Sequence, residues 1–420
     1  MLKQNFFQSQ HGELFAENVP LKNIAASVGT PCYVYSRAAL VERYLRFEKA
    51  FQNFPHQIHY AVKANSNLAI LKILSNLGSG FDIVSEGELE RVLAVGCDPK
   101  KIVFSGVGKN KRELKRAIEV GVGCINIESS QELFELHKIA KQMNKEVGIS
   151  LRINPNIDAK SHPYISTGLK ENKFGIGLEE AQDLYLKAKT LYPLKISGID
   201  CHIGSQITTL APFLEALEVI LAFKNTLKKQ GISINHLNLG GGLGVCYQAE
   251  NPPEPSIYVK AILDKISNQN VTLFLEPGRA IAANAGILLT QVEYLKTSEQ
   301  GPCFAIVDAG MNDLLRPALY NAWQNIVPVI PHNDGLTHHY DIVGPVCETA
   351  DFLGKNRLLC LKPGDLLAIF GAGAYGFTMS SNYNSRPRAA EVMVDRDQFH
   401  IIRQRENIKS LFALESILPE

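Results

Sequence analysis

Two alternating patterns extend from about residue 56 to residue 277 and limit the choice of fold. Short β-branched runs are followed by longer stretches whose apolar residues recur at three and four positions, as in helices that pack on a sheet. The predicted strands are 58–62, 80–84, 101–105, 123–127, 147–153, 195–202, 235–239 and 271–276. Eight such repeats predict an α/β fold with a closed parallel (β/α)8 barrel, although an open doubly wound sheet would give the same alternation.

The pattern changes after residue 280 to short alternating runs between Gly, Pro and Asn clusters, which predicts an all-β region. The runs are 286–296, 303–308, 339–343, 366–369 and 390–394. An early run, 32–35, also fits a strand and is predicted to join this region. Because 420 residues exceed what one core usually holds, we expect two domains. They are a barrel over 36–278 and a sandwich-like or barrel-like β domain made of 1–35 and 279–420.

Composition limits the classes of partner. Lys plus Arg (43) and Asp plus Glu (42) leave a formal charge of +1, and no basic stretch is interleaved with aromatic residues, so no nucleic-acid partner is expected. No apolar stretch is long enough to span a bilayer, and the N-terminus has no apolar leader region. The eight cysteines have no Cys-x-x-Cys spacing, which argues against a disulfide framework and a metal site. We expect a soluble, cytoplasmic protein that binds a small molecule.

Chemically active residues follow the predicted barrel strands with unusual regularity. Enzymes with this fold place their chemistry on the loops after the carboxyl ends of the strands. The residues at these positions are Lys63 after the first strand, Asp82, Ser85 and Glu88 at the second, Arg152 at the fifth, His202 and Ser205 at the sixth, Gly240, Gly241 and Gly242 at the seventh, and Glu276, Gly278 and Arg279 at the eighth. Their distribution predicts a functional site at this end of the barrel.

Lys63 follows the apolar run 59–62 at the point where a buried strand gives way to a turn. Burial disfavours the ammonium form of lysine, and the free amine condenses with an aldehyde such as that of pyridoxal phosphate. A Schiff-base lysine therefore fits this position. The alternative is a solvated lysine that ends a strand.

The run Gly240-Gly241-Gly242 lets the backbone approach an anion closely, because no Cβ obstructs it. Ser205 could add a hydroxyl, so a phosphate group is a suitable ligand, although a tight loop would explain the glycines equally well. The run lacks the spacing of a dinucleotide fingerprint and follows a seventh strand rather than a first. A nicotinamide cofactor is therefore not expected.

The remaining rim residues each have a catalytic and a structural interpretation. Glu276 could keep a pyridine nitrogen protonated, or it could form an ion pair with Arg279. His202 could stack on an aromatic cofactor ring, or it could be a core histidine. Asp82, Glu88 and Arg152 could simply form an ion-pair network with one another.

A second group of candidates lies in the predicted β region. Arg316 and Tyr320 are four residues apart and would share one face of a helix. Cys347 and Glu348 follow a Gly-Pro turn, and Tyr375 lies on a glycine-rich loop. A thiol of ordinary pKa can donate a proton near neutrality, although most lone cysteines are structural.

These motifs resemble, in order and almost end to end, those of the diaminopimelate decarboxylase family. This family belongs to the pyridoxal-phosphate enzymes that share the alanine-racemase-type barrel and a C-terminal β domain. The shared motifs are 60–65, 80–88, 202–205, 240–242, 276–279, 347–348 and 373–375. The segments 311–320 and 162–168 are similar to the diaminopimelate branch in particular.

The resemblance implies a role for each candidate. Lys63 would bind pyridoxal 5'-phosphate covalently, Glu276 would pair with its ring nitrogen, and His202 would stack on the ring. The other implied cofactor contacts are Asp82, Ser205, Gly241, Gly242, Gly278, Arg279 and Tyr375. The implied substrate contacts are Arg279, Arg316, Tyr320, Glu348 and Tyr375. The product would be protonated by Cys347 or by Lys63. Cys347 and Glu348 would be supplied by the other subunit of a homodimer.

The implied reaction is removal of the carboxylate at the D-centre of meso-2,6-diaminopimelate to give L-lysine and CO2, the last step of lysine biosynthesis. Decarboxylases of the same group that act on ornithine, arginine or carboxynorspermidine are the closest alternative. Arg316 argues against them, because a substrate whose far end is only an amine would leave that cation without a partner. A racemase is disfavoured because racemases of this fold use a tyrosine where Cys347 stands. A regulator without cofactor is disfavoured because Lys63 and the glycine run are retained.

Overall fold

The computed structural model describes residues 6–159, 162–165, 167–169, 171–298, 301–332 and 334–420. The strands, in chain order, are β1 (Phe7–Gln10), β2 (Glu13–Ala16), β3 (Val19–Pro20), β4 (Cys32–Ser36), β5 (His56–Ala61), β6 (Gly80–Ile83), β7 (Ile102–Phe104), β8 (Cys124–Ile127), β9 (Val147–Arg152), β10 (Leu194–Asp200), β11 (His236–Asn238), β12 (Thr272–Leu275), β13 (Gly286–Lys296), β14 (Cys303–Val307), β15 (Ile326–Pro328), β16 (His338–Val343), β17 (Phe352–Leu359), β18 (Leu366–Ile369), β19 (Ala390–Asp395) and β20 (Gln398–Arg403). The α-helices are α1 (Leu21–Val28), α2 (Arg37–Ala50), α3 (Leu68–Asn76), α4 (Glu86–Ala94), α5 (Lys111–Val120), α6 (Ser130–Met143), α7 (Leu178–Ala188), α8 (Ala211–Lys229), α9 (Pro255–Ile266), α10 (Arg279–Ala282) and α11 (Arg316–Tyr320).

The chain divides into two compact units. The barrel unit comprises Val41–Cys246 and Glu250–Ile281, and the β unit comprises Met1–Leu40, Tyr247–Ala249 and Ala282–Glu420. The domain limits expected from the sequence, 36–278 for the barrel and 1–35 with 279–420 for the β domain, remain a prediction. Among the described residues, no helix combines the length and the apolar character needed to span a lipid bilayer.

The barrel is closed, with the strand order β10-β11-β12-β5-β6-β7-β8-β9. All of its strands pair in parallel, and closure is completed where Leu273 of β12 is paired with His56 of β5. This pairing confirms the (β/α)8 prediction and excludes the open doubly wound sheet. Because every strand runs in the same direction, all of the strand ends noted in the sequence lie at one end of the barrel.

The helices around the barrel begin where the sequence supplies capping groups. Asn110 and Glu113 form a reciprocal capping box at the start of α5, and α5 turns Leu114, Ala117 and Ile118 toward the interior. Ser85 caps α4 by accepting a hydrogen bond from the backbone N–H of Glu88. Ser85, one of the polar residues at the end of the second barrel strand, therefore serves a structural purpose.

The β unit contains a mixed sheet whose main path is β17-β16-β14-β13-β4-β19-β20, with β18 paired to β13 and to β15. Strand β4 lies between β13 and β19, antiparallel to the first and parallel to the second, so the prediction that the early run 32–35 joins the β region is confirmed. Besides the short strand β15, the sequence did not predict β17 and β20. Both are edge strands with several polar and charged positions, which weakens the alternation that marks a half-buried strand.

Candidate active site

Lys63 lies just beyond the end of β5, in a 3-10 turn formed by Val62–Ala64. Its amine forms an ion pair with Oδ2 of Asp82, a residue of β6 that is fully buried. The other carboxylate oxygen of Asp82, Oδ1, is buried and has no hydrogen-bond partner among the described residues. The turn therefore holds a lysine amine at the strand end, next to a carboxylate that still has an open acceptor.

Glu276 follows β12 and is buried. Its Oε1 accepts a hydrogen bond from Nδ2 of Asn238 at 2.5 Å. Burial, together with the nearby charges of Asp82 and Asp200, raises the pKa of Glu276 well above its ordinary value. Glu276 would therefore be most easily ionised beside a cation that offsets these negative charges.

His202 is held by the glycine run. The backbone N–H of Gly241 donates to Nδ1 of His202 at 3.1 Å, so Nδ1 is an acceptor and the ring proton lies on Nε2. Burial, then the charges of Arg152 and Lys63, lower the pKa of His202 well below its ordinary value. The ring is therefore neutral and has one defined tautomer.

The glycines of the run are required by close approaches. A Cβ on Gly241 would lie 2.3 Å from the carbonyl oxygen of Glu276, and Gly242 has a φ of +103° with its Cβ position 2.7 Å from the carbonyl oxygen of Gly204. The amide of Gly240 donates to Oδ1 of Asn238 at 3.0 Å. The amides of Gly240 and Gly241 are thus engaged with protein groups, and the phosphate contacts of Gly241 and Gly242 remain a prediction.

Arg279 and Ser205, both predicted cofactor contacts, lie together. Nε and Nη2 of Arg279 donate to Oγ of Ser205 at 3.2 and 3.0 Å. Gly278 precedes this arginine, and a Cβ there would lie 2.9 Å from the Cβ of Ala64, so a larger residue would press on the Lys63 turn. The arrangement couples the end of the eighth barrel strand to the loop after the sixth and to the turn after the first.

Arg152 forms a buried network with two carboxylates that were not singled out from the sequence. Its Nη1 donates to Oε1 of Glu128 at 2.8 Å, and its Nε lies 4.0 Å from Oδ2 of Asp200. Burial raises the pKa of Asp200 to about 7, against the opposing charge of Arg152. Glu88, which the sequence suggested as a member of an ion-pair network with Arg152, accepts a hydrogen bond from the backbone N–H of Val84 at 2.8 Å.

The segment 162–168 lies in the barrel unit, and its Ser166 is outside the described residues. Oγ1 of Thr167 donates to the carbonyl oxygen of His202 at 2.9 Å, and the N–H of Thr167 donates to the carbonyl oxygen of Ile203 at 3.1 Å. This segment therefore supports the main chain that carries the imidazole ring.

The second group of candidates lies in the β unit. Arg316 and Tyr320 are the first and last residues of α11, so the helical spacing inferred for them is present. Arg316 is buried, with its guanidinium carbon 4.4 Å from the ring centroid of Tyr247. Tyr375 adopts a left-handed backbone conformation, with a φ of +55°.

Cys347 and Glu348 are exposed. The backbone N–H of Cys347 donates to Oδ1 of Asn384 at 2.8 Å, and Oε1 of Glu348 accepts from the hydroxyl of Tyr383 at 2.5 Å. The turn is tied to the segment 383–384, but its thiol and carboxylate face outward.

Three buried polar residues at the barrel mouth were not singled out from the sequence: Glu128, Asp200 and Asn238. A signal for each was present. Glu128 follows the fourth barrel strand, and the other two lie two residues before His202 and Gly240, on the face of the strand that alternation turns inward. Polar residues at inward-facing strand positions are costly unless bonded, so such positions indicate a site.

A parallel barrel with a lysine after its first strand and a buried carboxylate after its eighth defines a pyridoxal-phosphate-binding barrel. The family described as "Pyridoxal-dependent decarboxylase, pyridoxal binding domain" matches residues 37–283. The curated diaminopimelate decarboxylase of Vibrio cholerae serotype O1 is 58% identical over 99% of both chains, and that of Pseudomonas aeruginosa is 56% identical over 99% of both. The chain therefore belongs to the diaminopimelate decarboxylase family, whose members are pyridoxal-phosphate-dependent carboxy-lyases.

Solved structures agree with this assignment. The crystal structure of diaminopimelate decarboxylase from Helicobacter pylori complexed with L-lysine has a TM-score of 0.91 and 43% identity, covering 94% of this chain and 99% of that one. The prediction of a (β/α)8 barrel together with a β domain is confirmed by this likeness and by the strand pairing.

The residues present fit pyridoxal phosphate. Buried acids cluster at the mouth, and Oδ1 of Asp82 and of Asp200 has no hydrogen-bond partner among the described residues. A protonated ring nitrogen beside Glu276 would supply positive charge where the acids are in excess. The glycine run excludes side chains from the same region, and Arg279 with Ser205 offers a cation and a hydroxyl of the kind that bind phosphate.

Proposed function

We propose that this protein removes the carboxylate at the D-centre of meso-2,6-diaminopimelate and releases L-lysine and CO2, the last step of lysine biosynthesis. The observation that carries the proposal is the grouping of Lys63, His202 and Glu276 at one end of a barrel that closely resembles a solved lysine-bound decarboxylase. Full-length relatives at 55–58% identity with the name diaminopimelate decarboxylase support the substrate.

Bound pyridoxal 5'-phosphate would supply an aldehyde for amines and a ring that accepts the electron pair left when CO2 departs. Lys63 would hold the cofactor through its amine. Asp82 would orient that amine and would pair with its positive charge once the amine is released from the cofactor. Glu276 would accept a hydrogen bond from the ring nitrogen, and the neutral His202 would offer a flat face without adding positive charge. Ser205, Gly241, Gly242, Gly278, Arg279 and Tyr375 would surround the phosphate.

Selectivity for the bond that breaks requires a fixed substrate, because orbital overlap favours the bond perpendicular to the ring. Arg279, Arg316 and Tyr320 would bind the distal carboxylate, and Glu348 would bind the distal ammonium group. The guanidinium of Arg316 is buried and stacked on Tyr247, so its direction is fixed before a substrate arrives. A substrate with only an amine at its far end, such as ornithine, would leave this cation without a carboxylate.

The proposal includes a homodimer in which Cys347 and Glu348 of one subunit complete the site of the other. The exposure of both side chains supports it, because a proton donor and a substrate contact need defined positions and both groups are exposed in their own subunit. Cys347 would protonate the product carbon, with Lys63 as the competing donor. We also propose a cytoplasmic location, which the absence of disulfide bonds among the described cysteines favours.

A substrate comparison tests the proposal. Purified protein with pyridoxal phosphate is incubated separately with meso-diaminopimelate, L-ornithine and L-arginine, and CO2 release is measured. We expect release from meso-diaminopimelate alone. Release from ornithine but not from diaminopimelate would overturn the substrate assignment, and the absence of a cofactor absorption band in the saturated protein would overturn the cofactor chemistry.

A further inference from the structure

Asn238 occupies a buried position between two parts of the candidate site. It is the last residue of β11, and its side chain is bonded at both ends. Nδ2 donates to Oε1 of Glu276 at 2.5 Å, and Oδ1 accepts from the N–H of Gly240 at 3.0 Å. The backbone amide can only donate, so the orientation of the Asn238 amide group is determined by chemistry.

The loop that Asn238 holds also determines the position of His202. Gly240 has a φ of +64°, and a Cβ there would lie 2.5 Å from Nδ1 of His202. The next amide, that of Gly241, donates to the same nitrogen. The carbonyl oxygen of Gly240 accepts from the N–H of Glu276 at 2.7 Å. One asparagine side chain therefore joins the carboxylate to the loop against which the imidazole packs.

We propose that Asn238 is a positioning residue for the decarboxylation, whose amide fixes the carboxylate of Glu276 and the Gly240–Gly241 loop in one arrangement. The inference rests on the proposed function, because it assigns Glu276 to the ring nitrogen and His202 to the ring face. Asn238 itself acts through these two residues. Glu276 without its donor could rotate, and the loop without its acceptor could shift the imidazole.

The electrostatics of the site support the same role. Burial raises the pKa of Glu276 most, the charges of Asp82 on β6 and Asp200 on β10 add to the rise, and Lys63 after β5 opposes it. The hydrogen bond from Asn238 also opposes it. A carboxyl group that keeps its proton is a weaker partner for a protonated ring nitrogen, so loss of the asparagine donor would weaken that pairing.

The substitution Asn238→Asp separates the two contacts. Aspartate has the same shape, and in its ionised form it keeps an acceptor for the Gly240 amide but has no donor for Glu276. Asn126→Asp is the matched control, because Asn126 is a fully buried barrel-strand asparagine of β8 whose Nδ2 bonds to Oγ of Ser105 at 3.1 Å. Both variants place a carboxyl group in the barrel interior.

Two measurements give the expected results. In the apo protein labelled with ¹³C-glutamate, with the signal assigned by Glu276→Gln, the titration of Glu276 is expected at higher pH in Asn238→Asp and unchanged in Asn126→Asp. In the holoenzyme, Asn238→Asp is expected to lower kcat about 10- to 100-fold, as for loss of a hydrogen-bond partner that orients a site residue, with KM changed less than about twofold.

An unchanged Glu276 titration with kcat within about twofold of wild type would overturn the inference. After such a result, the activity of Glu276→Gln would show whether the proposed function also fails. Loss of CO2 release in Glu276→Gln would leave the proposed function intact, whereas full activity would remove the basis of the proposed function. Should Asn238→Asp fail to fold, the wild-type apo protein gives the answer. The ¹⁵N shift of the Asn238 side-chain amide must follow the ionisation of Glu276 with the same midpoint, and independence of the two would refute the inference.

Discussion

At the barrel mouth, Asp82, Glu276 and Arg279 are buried, and each is bonded to a residue of another strand end or loop. By contrast, Cys347 and Glu348 of the β unit lie on an exposed turn. The first group keeps its geometry because each side chain is held by a neighbouring strand end or loop. The second group is fixed mainly through its backbone and through Tyr383. The comparison indicates that these barrel residues are held in place within their own unit, whereas the side chain of Cys347, the proposed proton donor, is exposed.

The largest expected effect comes from removing the amine of the barrel site. Lys63→Ala is expected to abolish the cofactor absorption band and to lower the decarboxylation rate on the order of 10³-fold or more, because no other described amine pairs with Asp82. Spectra and CO2 release measure this. Lys195→Ala, an exposed lysine near the start of β10, is the control and should behave as wild type.

The steric precision of the barrel site predicts a smaller but clear effect on stability. Gly241→Ala places a Cβ 2.3 Å from the carbonyl oxygen of Glu276 and should lower the free energy of unfolding by about 1–3 kcal/mol, with loss of bound cofactor. Urea unfolding and cofactor retention during dialysis measure it. At Gly108 a Cβ would meet no atom within 4 Å, so Gly108→Ala should change stability by less than about 0.5 kcal/mol. Equal effects of the two would refute the close-packing argument.

The exposed turn should give the opposite combination of results. Cys347→Ser is expected to lower kcat about 100-fold, the lower end of the effect of losing a general acid, and to leave the unfolding free energy within about 0.5 kcal/mol of wild type. Steady-state kinetics and urea unfolding test this. Cys246→Ser changes another exposed thiol and should leave kcat unaltered. If Cys347→Ser is fully active, the final proton comes from Lys63 instead.

The pH dependence of stability should reflect the barrel interior away from the proposed chemistry. Burial lowers the pKa of His59 to about 3. Below about pH 6.5 the unfolded chain therefore binds a proton at His59, whereas the folded chain does not bind it until the pH approaches 3. Stability should therefore fall as the pH drops from 6.5 toward 3, by up to about 1.4 kcal/mol per pH unit for this group.

The substitution His59→Gln removes this proton uptake and should reduce the pH slope of the unfolding free energy. His236, whose pKa burial lowers to about 4, leaves a remaining slope. His400→Gln changes an exposed histidine and should keep the wild-type slope. A His59→Gln protein with the wild-type slope would show that His59 is not buried in its neutral form.

The barrel and most of the residues at its mouth could be predicted from the sequence alone, because both depend on local patterns. A strand and a helix have different apolar periods, and the polar residues Lys63, His202 and Glu276 interrupt those periods at strand ends. The glycine run was visible for the same reason, since its residue type is unusual wherever it occurs. Strands β17 and β20 were missed because edge strands carry polar residues on both faces.

The tertiary structure alone decided which polar groups meet. Glu128, Asp200 and Asn238 appear in the sequence as single polar residues at or near strand ends, and only the register of the closed barrel brings them to Arg152 and Glu276. It also directed the amides of the glycine run toward protein groups and fixed the tautomer of His202. The physical reason is that hydrogen-bond partners far apart in sequence are selected by strand pairing, which no local pattern records.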